Sequence, residues 1–575
     1  MRIWSPTLFP RHKVAPGASS GPKHFLFKRP AHEGRPSRWA ELVDPRNAVV
    51  RRAESAYVVR RVCGPSRPAQ TSDFCYEKGD LAVNKKGLTR RNFVQGASAA
   101  ALGGMIVPRH VLGGVGYQAP SDTLNIAIVG AGGMGGQNAQ ELGTENIVAV
   151  CDVDFDYVMG KVADLEADGD EDEGFRIERW QQQFAAAPRY SDFREMLDKQ
   201  RDIDAVLIAT PDHTHAVIAK AAMELGKHVF VQKPMTATVA EARMLARVAA
   251  ETGVVTQMGN QGHSSDDARL INEWIQAGVI GDVSEVHIWT NRPIWPQGLP
   301  APVRPDEMPD ETEWGRGAMN RRMAASVDHG YAQPPALDWK NYVGPIAEDV
   351  AYHPIYHPFN WRGWTAFGVG ALGDMGAHLV DHPFWALDLG YPTSIQATST
   401  PWGGPRNAPV TYPVAMTAHY EFAARGERPA VEMHWYDGGL MPPRHELLPA
   451  DVALEREGGV IFVGGRGILM HETYGRNPVL FPAELHEEAA LVAKTYPRVE
   501  ETHEMNWALA CKGEATATTP FDYAAQLTEV MLLGMVALRT GQGRKIEYDG
   551  KNMRVTNVEE ANQYLTREYR HGWSI

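Results

Sequence analysis

The run Gly130-Ala131-Gly132-Gly133-Met134-Gly135 carries the spacing G-x-G-x-x-G, and the chemistry of that spacing is the seating of a pyrophosphate. The first glycine makes a tight turn, the second lets backbone N–H groups approach the phosphates, and the third lets a helix pack closely on a strand. A helix that starts there offers free N–H groups and the positive end of its dipole to an anion. Gly130, Gly132, Gly133, Met134 and Gly135 are therefore predicted to hold a dinucleotide. Asp152 stands 22 positions beyond Gly130. A carboxylate there accepts hydrogen bonds from ribose hydroxyls and repels a 2′-phosphate, which favours NAD over NADP. Further along, residues 289–298 and 359–364 gather Trp289, Asn291, Arg292, Trp295, Trp361, Arg362 and Trp364. Aromatic faces stack on pyranose rings while Asn and Arg bind hydroxyls. Sugar contact is expected of this group, with core or interface packing as the alternative.

These groups need a scaffold, and the hydropathy pattern supplies one. Residues 124–129 are a short apolar run leading into the glycines, and residues 147–150 a second one ending in Cys151-Asp152. Residues 205–208, 228–231 and 254–257 read as further buried strands, with helices over 216–225 and 240–251 between them. Such alternation gives an α/β fold with a doubly wound parallel sheet, a Rossmann domain over residues 121–258. Ligands bind beyond the carboxyl ends of its strands. Three polar clusters fall there: Thr210-Pro211-Asp212-His213-Thr214-His215, Gln232-Lys233-Pro234, and Gly259-Asn260-Gln261-Gly262-His263. Thr210, Pro211, His213, His215, Gln232 and Lys233 are assigned to the cofactor, and Asn260 and Gln261 to the substrate.

Taken in order, five stretches resemble the Gfo/Idh/MocA oxidoreductases, the family of glucose–fructose oxidoreductase and inositol dehydrogenase. They are Val129 to Gly135, Cys151-Asp152-Val153, Ala209 to His215, Lys227 to Pro234, and residues 370–382, GALGDMGAHLVDH. The resemblance runs from about residue 123 to the C-terminus. It implies a C-terminal α+β domain, residues 259–575, on an open, mostly antiparallel sheet with helices on one face. That domain commonly mediates oligomerisation in the family, so a homodimer or homotetramer is expected. The resemblance also implies that Lys233 lies near nicotinamide and substrate, and that Asp374 and His378 form the family's D-x-x-x-H pair. Where the family usually has Glu-Lys-Pro this chain has Gln232-Lys233-Pro234, a form similar to that of exported relatives.

Oxidising a secondary alcohol with NAD removes a hydride from carbon and a proton from oxygen, and the proton needs an acceptor. Asp374 and His378 are four apart and share one face of a helix. His378 is the natural base, Asp374 orients substrate hydroxyls or the imidazole, and Lys233 donates to the reacting oxygen. Gly370, Gly373 and Gly376 suggest close approach to a ligand, and His382 joins the substrate contacts. The expected activity is oxidation of a secondary hydroxyl of a sugar, glycoside or inositol-like polyol with tightly bound NAD. One alternative is an NAD-dependent glycosidase that oxidises, eliminates and reduces again. Another is a non-catalytic sugar-binding or regulatory protein of the same fold. His353 and His357 are four apart, but Pro354 and Pro358 break a helix across them. No Glu or Cys completes a ligand set there or at His378 and His382, so no metal is expected.

Charge and size agree with this assignment. The 575 residues suffice for two or three domains. Residues 1–82 carry 15 Lys and Arg against 7 Asp and Glu, so the net charge of −13 hides a more acidic body. An acidic body argues against nucleic acid as a partner. Residues 1–82, rich in Arg and Pro, are expected to be disordered or wrongly included upstream sequence. Thr89-Arg90-Arg91-Asn92-Phe93-Val94 and the apolar stretch after it resemble a twin-arginine signal over residues 83–120, and hence periplasmic export. That stretch is too short to span a bilayer, which needs roughly 20 residues. The acidic run at 164–173 is expected to be a solvated loop, residues 521–540 a core helix, and residues 552–575 a tail on the body or a partner subunit.

Overall fold

A strand buried on both faces must be apolar at every position. Asn125–Val129 (β1) has four consecutive buried residues, and Ala205–Ile208 (β4) is wholly buried. These are the central strands of the first sheet in the computed structural model, which describes residues 122–166, 171–299, 310, 312–328, 330–404 and 409–575. The expected upstream segment and export signal lie outside the described residues.

The chain continues from β1 through α1 (Met134–Glu141), β2 (Asn146–Cys151), α2 (Phe155–Ala163), α3 (Glu171–Ala186) and β3 (Arg189–Tyr190). After α4 (Phe193–Lys199) come β4, α5 (Asp212–Glu224), β5 (His228–Val231), α6 (Val239–Thr252) and β6 (Thr256–Met258). The strands lie in the order β3-β2-β1-β4-β5-β6, and every pairing is parallel. Chain order reverses between β1 and β4, the switch point at which such sheets open a crevice. The expected acidic loop is borne out only in part: residues 164–166 lie outside any helix, whereas Asp172 and Glu173 fall in the first turn of α3, where acidic residues meet the positive end of the helix dipole.

The second half runs through α7 (Asp266–Gln276), β7 (Val283–Thr290), α8 (Arg316–Asp328), α9 (Trp339–Val343), α10 (Gly370–Leu379) and α11 (Asp381–Ala386). It goes on through β8 (Ser394–Ser399), β9 (Met416–Phe422), β10 (Val431–Tyr436), β11 (Gly458–Gly464), β12 (Ile468–Glu472) and β13 (Val479–Phe481). It closes with α12 (Leu485–Ala489), α13 (His503–Cys511), α14 (Phe521–Thr540), β14 (Ile546–Asp549) and β15 (Arg554–Val555). The nine strands lie in the order β13-β12-β11-β7-β10-β9-β8-β14-β15. β7 and β10 pair in parallel, and the other pairings are antiparallel.

Helix α14 joins the two sheets. It is long and apolar enough to cross a bilayer, yet 83% of its apolar window is buried inside the fold. Glu529 on this helix, itself buried, pairs with Arg243 of α6 at 2.6 Å. Gly534 sits where a Cβ would strike the Tyr420 hydroxyl of β9. α13 also returns to the first sheet, with Trp507 against Phe230 of β5, ring centres 5.5 Å apart. The terminal residues pack back as well: Arg567 donates to the His213 carbonyl at 2.6 Å, and Tyr569 to Glu241 at 2.6 Å.

Candidate active site

The glycine turn between β1 and α1 is shaped by what a side chain would strike. Gly130 has φ +85°, and a Cβ there would come 2.7 Å from the Ala209 carbonyl oxygen. A Cβ on Gly135 would strike the Gly130 carbonyl, whereas one on Gly133 meets nothing within 4 Å. No side chain caps α1, and its first turn holds no acidic residue, so its leading amides and dipole are left for an anion. Asp152 accepts from the Ala131 amide at 2.8 Å through Oδ2 and from the Asp154 amide at 3.0 Å through Oδ1. Those bonds tie the turn to the end of β2. Burial raises the Asp152 carboxyl pKa against the opposing pull of the two amides.

One cleft of about 590 Å³ joins this turn to the second domain. It is lined by Gly130, Gly132, Gly133, Met134 and Asp152, then by Thr210, Pro211 and Gln232, and also by Lys233, Arg292, Trp361, Arg362 and Asp374. Gly135 lies beneath the turn, where helix meets strand. The geometry suits a dinucleotide: an uncapped helix start, an unobstructed glycine, and a carboxylate 22 residues on share one concave wall.

Lys233 follows β5 and reaches across to α10, donating to Asp374 Oδ1 at 2.7 Å and to the Asp374 carbonyl at 3.0 Å. Arg362 Nε approaches the same carboxylate at 3.2 Å, and Arg292 Nε lies 4.0 Å from its other oxygen. Burial pushes the Asp374 carboxyl up, but Lys233 and Arg362 outweigh it and hold the group well below the usual carboxylate range. Burial lowers the Lys233 pKa, and Asp374 partly restores it. Three cations thus share one carboxylate. Arg362 also lies over Trp361, 4.2 Å from the ring centre.

Gln232 has an account in amide chemistry. Its Nε2 donates to Asn138 Oδ1 at 2.9 Å, and Asn138 donates to Glu504 at 2.6 Å. A carboxylate at position 232 could not donate to Asn138, so the glutamine suits this buried chain.

Several residues assigned from sequence lie elsewhere. His213 faces the Phe367 carbonyl at 3.2 Å and the Tyr342 carbonyl at 2.8 Å. His215 faces the carbonyls of Pro234 at 2.9 Å and Thr210 at 2.8 Å. Both rings face backbone carbonyls and neither lines the cleft; burial lowers them to about 3 and about 4. Trp289 points to the other side of the second sheet, where its indole donates to the Glu455 carbonyl at 2.7 Å, because side chains alternate along β7. Asn291 accepts from Arg292 at 2.5 Å and does not line the cleft. Asn260 is buried, donating to Asp381 at 3.0 Å. Gln261 lies in a short 3₁₀ turn outside the cleft wall, and His382 is enclosed next to Gly475, lowered by burial to about 4.

Asp374 and His378 do share a face of α10. His378, however, sits behind the wall: it is 3% exposed, and the Tyr474 ring covers it at 4.6 Å between centres. Burial, then Lys233, take its pKa well below 6.5. The glycines of α10 serve packing. A Cβ on Gly376 would meet Met531 at 2.7 Å, and one on Gly373 would strike Val369.

Sequence reasoning missed Tyr474, Tyr157, His357 and Trp573 as cleft residues. Tyr474 has φ +66°, a strained setting for a non-glycine residue that concentrates at functional sites. No periodic pattern marks a residue in such a turn. His357 bonds Asp154 at 2.9 Å, a pairing across 203 positions with no local signal.

Comparisons with known proteins agree with this geometry. Residues 124–260 match the Gfo/Idh/MocA family model, described as an oxidoreductase family with an NAD-binding Rossmann fold. The chain is 38% identical over 94 residues to the uncharacterized oxidoreductase YdgJ of Escherichia coli (strain K12), covering 16% of this chain and 27% of that protein. It is 32% identical over 168 residues to inositol 2-dehydrogenase 1 of Saccharopolyspora erythraea, covering 29% of this chain and 45% of that one. It is 28% identical over 206 residues to a glycosyl hydrolase family 109 protein of Solibacter usitatus, covering 34% and 44%. The matches thus span from about a quarter to under half the length of these relatives.

Proposed function

We propose that the chain, whose residues 124–260 match the Gfo/Idh/MocA oxidoreductase family model, is an NAD-dependent enzyme oxidising a secondary hydroxyl of a sugar, glycoside or inositol-like polyol. The observation that carries this proposal is the single cleft lined by both the glycine turn and the Lys233–Asp374 pair. When bound there, NAD supplies the hydride acceptor. The protein's own groups do the rest. Lys233 donates to the reacting oxygen, and the surplus of cations over Asp374 favours the alkoxide that forms as the proton leaves. Asp374 fixes Lys233 and Arg362 and accepts a neighbouring hydroxyl. His378 is kept neutral by burial and is the proton acceptor of this reading, but the Tyr474 ring covers it, so the transfer requires Tyr474 to move aside. Trp361, Phe359 and Trp295 supply apolar faces for a sugar ring.

The twin-arginine stretch supports export to the periplasm with cofactor already bound, and N-terminal sequencing of the secreted form tests this. Assembly into a homodimer or homotetramer is likewise part of the proposal, tested by the mass of the purified protein in solution. The activity itself is tested by denaturing the purified protein, identifying the released nucleotide, and screening sugars for reduced-nicotinamide absorbance and a keto product. Release of an aglycone with no net absorbance change would assign the hydrolytic alternative. No nucleotide and no product with any polyol would remove the proposal.

A further inference from the structure

The nine-stranded sheet carries a second cluster on the face away from its core. β7 and β10 run parallel, with Glu285 opposite Glu432 and His287 opposite His434. Val286, Ile288, Met433 and Trp435 are fully buried. Alternation therefore sends Glu285, His287, Glu432 and His434 to the other face. On the next strand, His419 is the register partner of His434.

Glu285 Oε1 lies 3.1 Å from His287 Nε2 and 3.1 Å from His434 Nε2. The three ligand atoms all fall within 4.8 Å of one another. A tetrahedral Zn²⁺ with bonds of roughly 2.0–2.2 Å sets neighbouring donor atoms about 3.4 Å apart, close to the two 3.1 Å edges that Glu285 makes. The two rings stack, centres 5.1 Å apart and 25° between planes.

A second observation concerns His434. Its Nε2 is buried and makes no hydrogen bond, while its Nδ1 faces His419 Nδ1 at 2.6 Å. One of those nitrogens must donate to the other. When His434 donates, its lone pair is left at Nε2, aimed into the cluster, and its ring is held from behind as metal-bound imidazoles are. The His287 and His434 side chains are 14% and 12% exposed against 41% for Glu285. The imidazoles are thus fixed, and the carboxylate stays open to solvent for entry of an ion.

We propose that Glu285, His287 and His434 bind one divalent transition cation of the zinc class. Two imidazoles and a carboxylate favour such a borderline cation over Mg²⁺ or Ca²⁺, which take oxygen ligands. The site lies outside the cleft and does not depend on the proposed activity.

The test uses the full chain without a histidine tag, stripped by a chelator and dialysed against Zn²⁺. The site predicts retention of one equivalent, with loss in Glu285→Gln and in His434→Asn. Retention of none, or equal retention in both variants, would overturn it. Should a variant fail to fold, X-ray absorption on the zinc-loaded unaltered protein still decides: at least two imidazole scatterers support the site, and fewer than two refute it.

Discussion

Asp374 keeps its charge because Lys233, Arg362 and Arg292 converge on it, although burial alone would push its carboxyl up. His378, one turn along the same helix, has the opposite fate. Burial and Lys233 lower its pKa well below 6.5, so the neutral, proton-accepting form persists as pH falls through 6.5. We predict no acid limb near 6.5 in the pH profile of kcat/KM; a limb there that disappears in His378→Asn would contradict the burial. Asp152 offers a separate check. In Asp152→Asn an amide oxygen can still accept from Ala131, while the charge that repels a 2′-phosphate is gone. The preference for NAD over NADP should fall about tenfold or more, since like-charge contacts cost several kcal/mol, as read from the two dissociation constants. Asp152, Thr210 and Pro211 could be read from sequence because each follows directly on an apolar strand. His213, His215 and Asn260 were not separable from them. A polar residue beyond a strand either faces the crevice or turns under it to bond buried carbonyls or carboxylates, and composition does not distinguish the two.

The β1–turn–α1 unit separates two uses of glycine. A Cβ on Gly133 meets nothing, while one on Gly135 strikes the Gly130 carbonyl. Gly133→Val should therefore weaken NAD binding, with a stability cost that is conformational only, since φ −134° and ψ −119° there lie outside the regions favoured by L side chains. Gly135→Val should cost about 1–3 kcal/mol of stability by steric overlap; calorimetry reads the binding and denaturant titration the stability. The first sheet was legible because its strands are continuous apolar runs split by helices, and α14 because twenty residues of apolar spacing have one solution. The short edge strand β3, with only two residues, left no such trace. The second sheet was less legible. Its parallel β7–β10 pairing joins segments about 150 residues apart, and local pattern carries no information on register.

The whole molecule is closed by segments that return from the C-terminus. α14 packs on both halves, α13 adds Trp507 to the first core, and Arg567 reaches Glu241 at 2.5 Å. Glu241 caps α6 through the Thr238 and Ala237 amides, so Arg567→Ala leaves a buried carboxylate that keeps those amides and Tyr569 but loses its cation. A loss of about 1–3 kcal/mol is expected, below the 3–5 kcal/mol of a fully stranded charge, and the denaturant midpoint measures it. The tail was expected to pack on the body or on a partner, and its residues settle on the body because Arg567 and Tyr569 meet the acidic cap of α6. Hydride transfer in this cleft requires that the cofactor turn and Lys233 face one reacting carbon. Single-turnover hydride transfer with NAD-loaded protein tests this most directly, comparing the unaltered chain with Lys233→Met. The predicted result is a transfer rate lower by about 10²–10⁴-fold with nucleotide affinity nearly unchanged. Equal rates in the two proteins would contradict it.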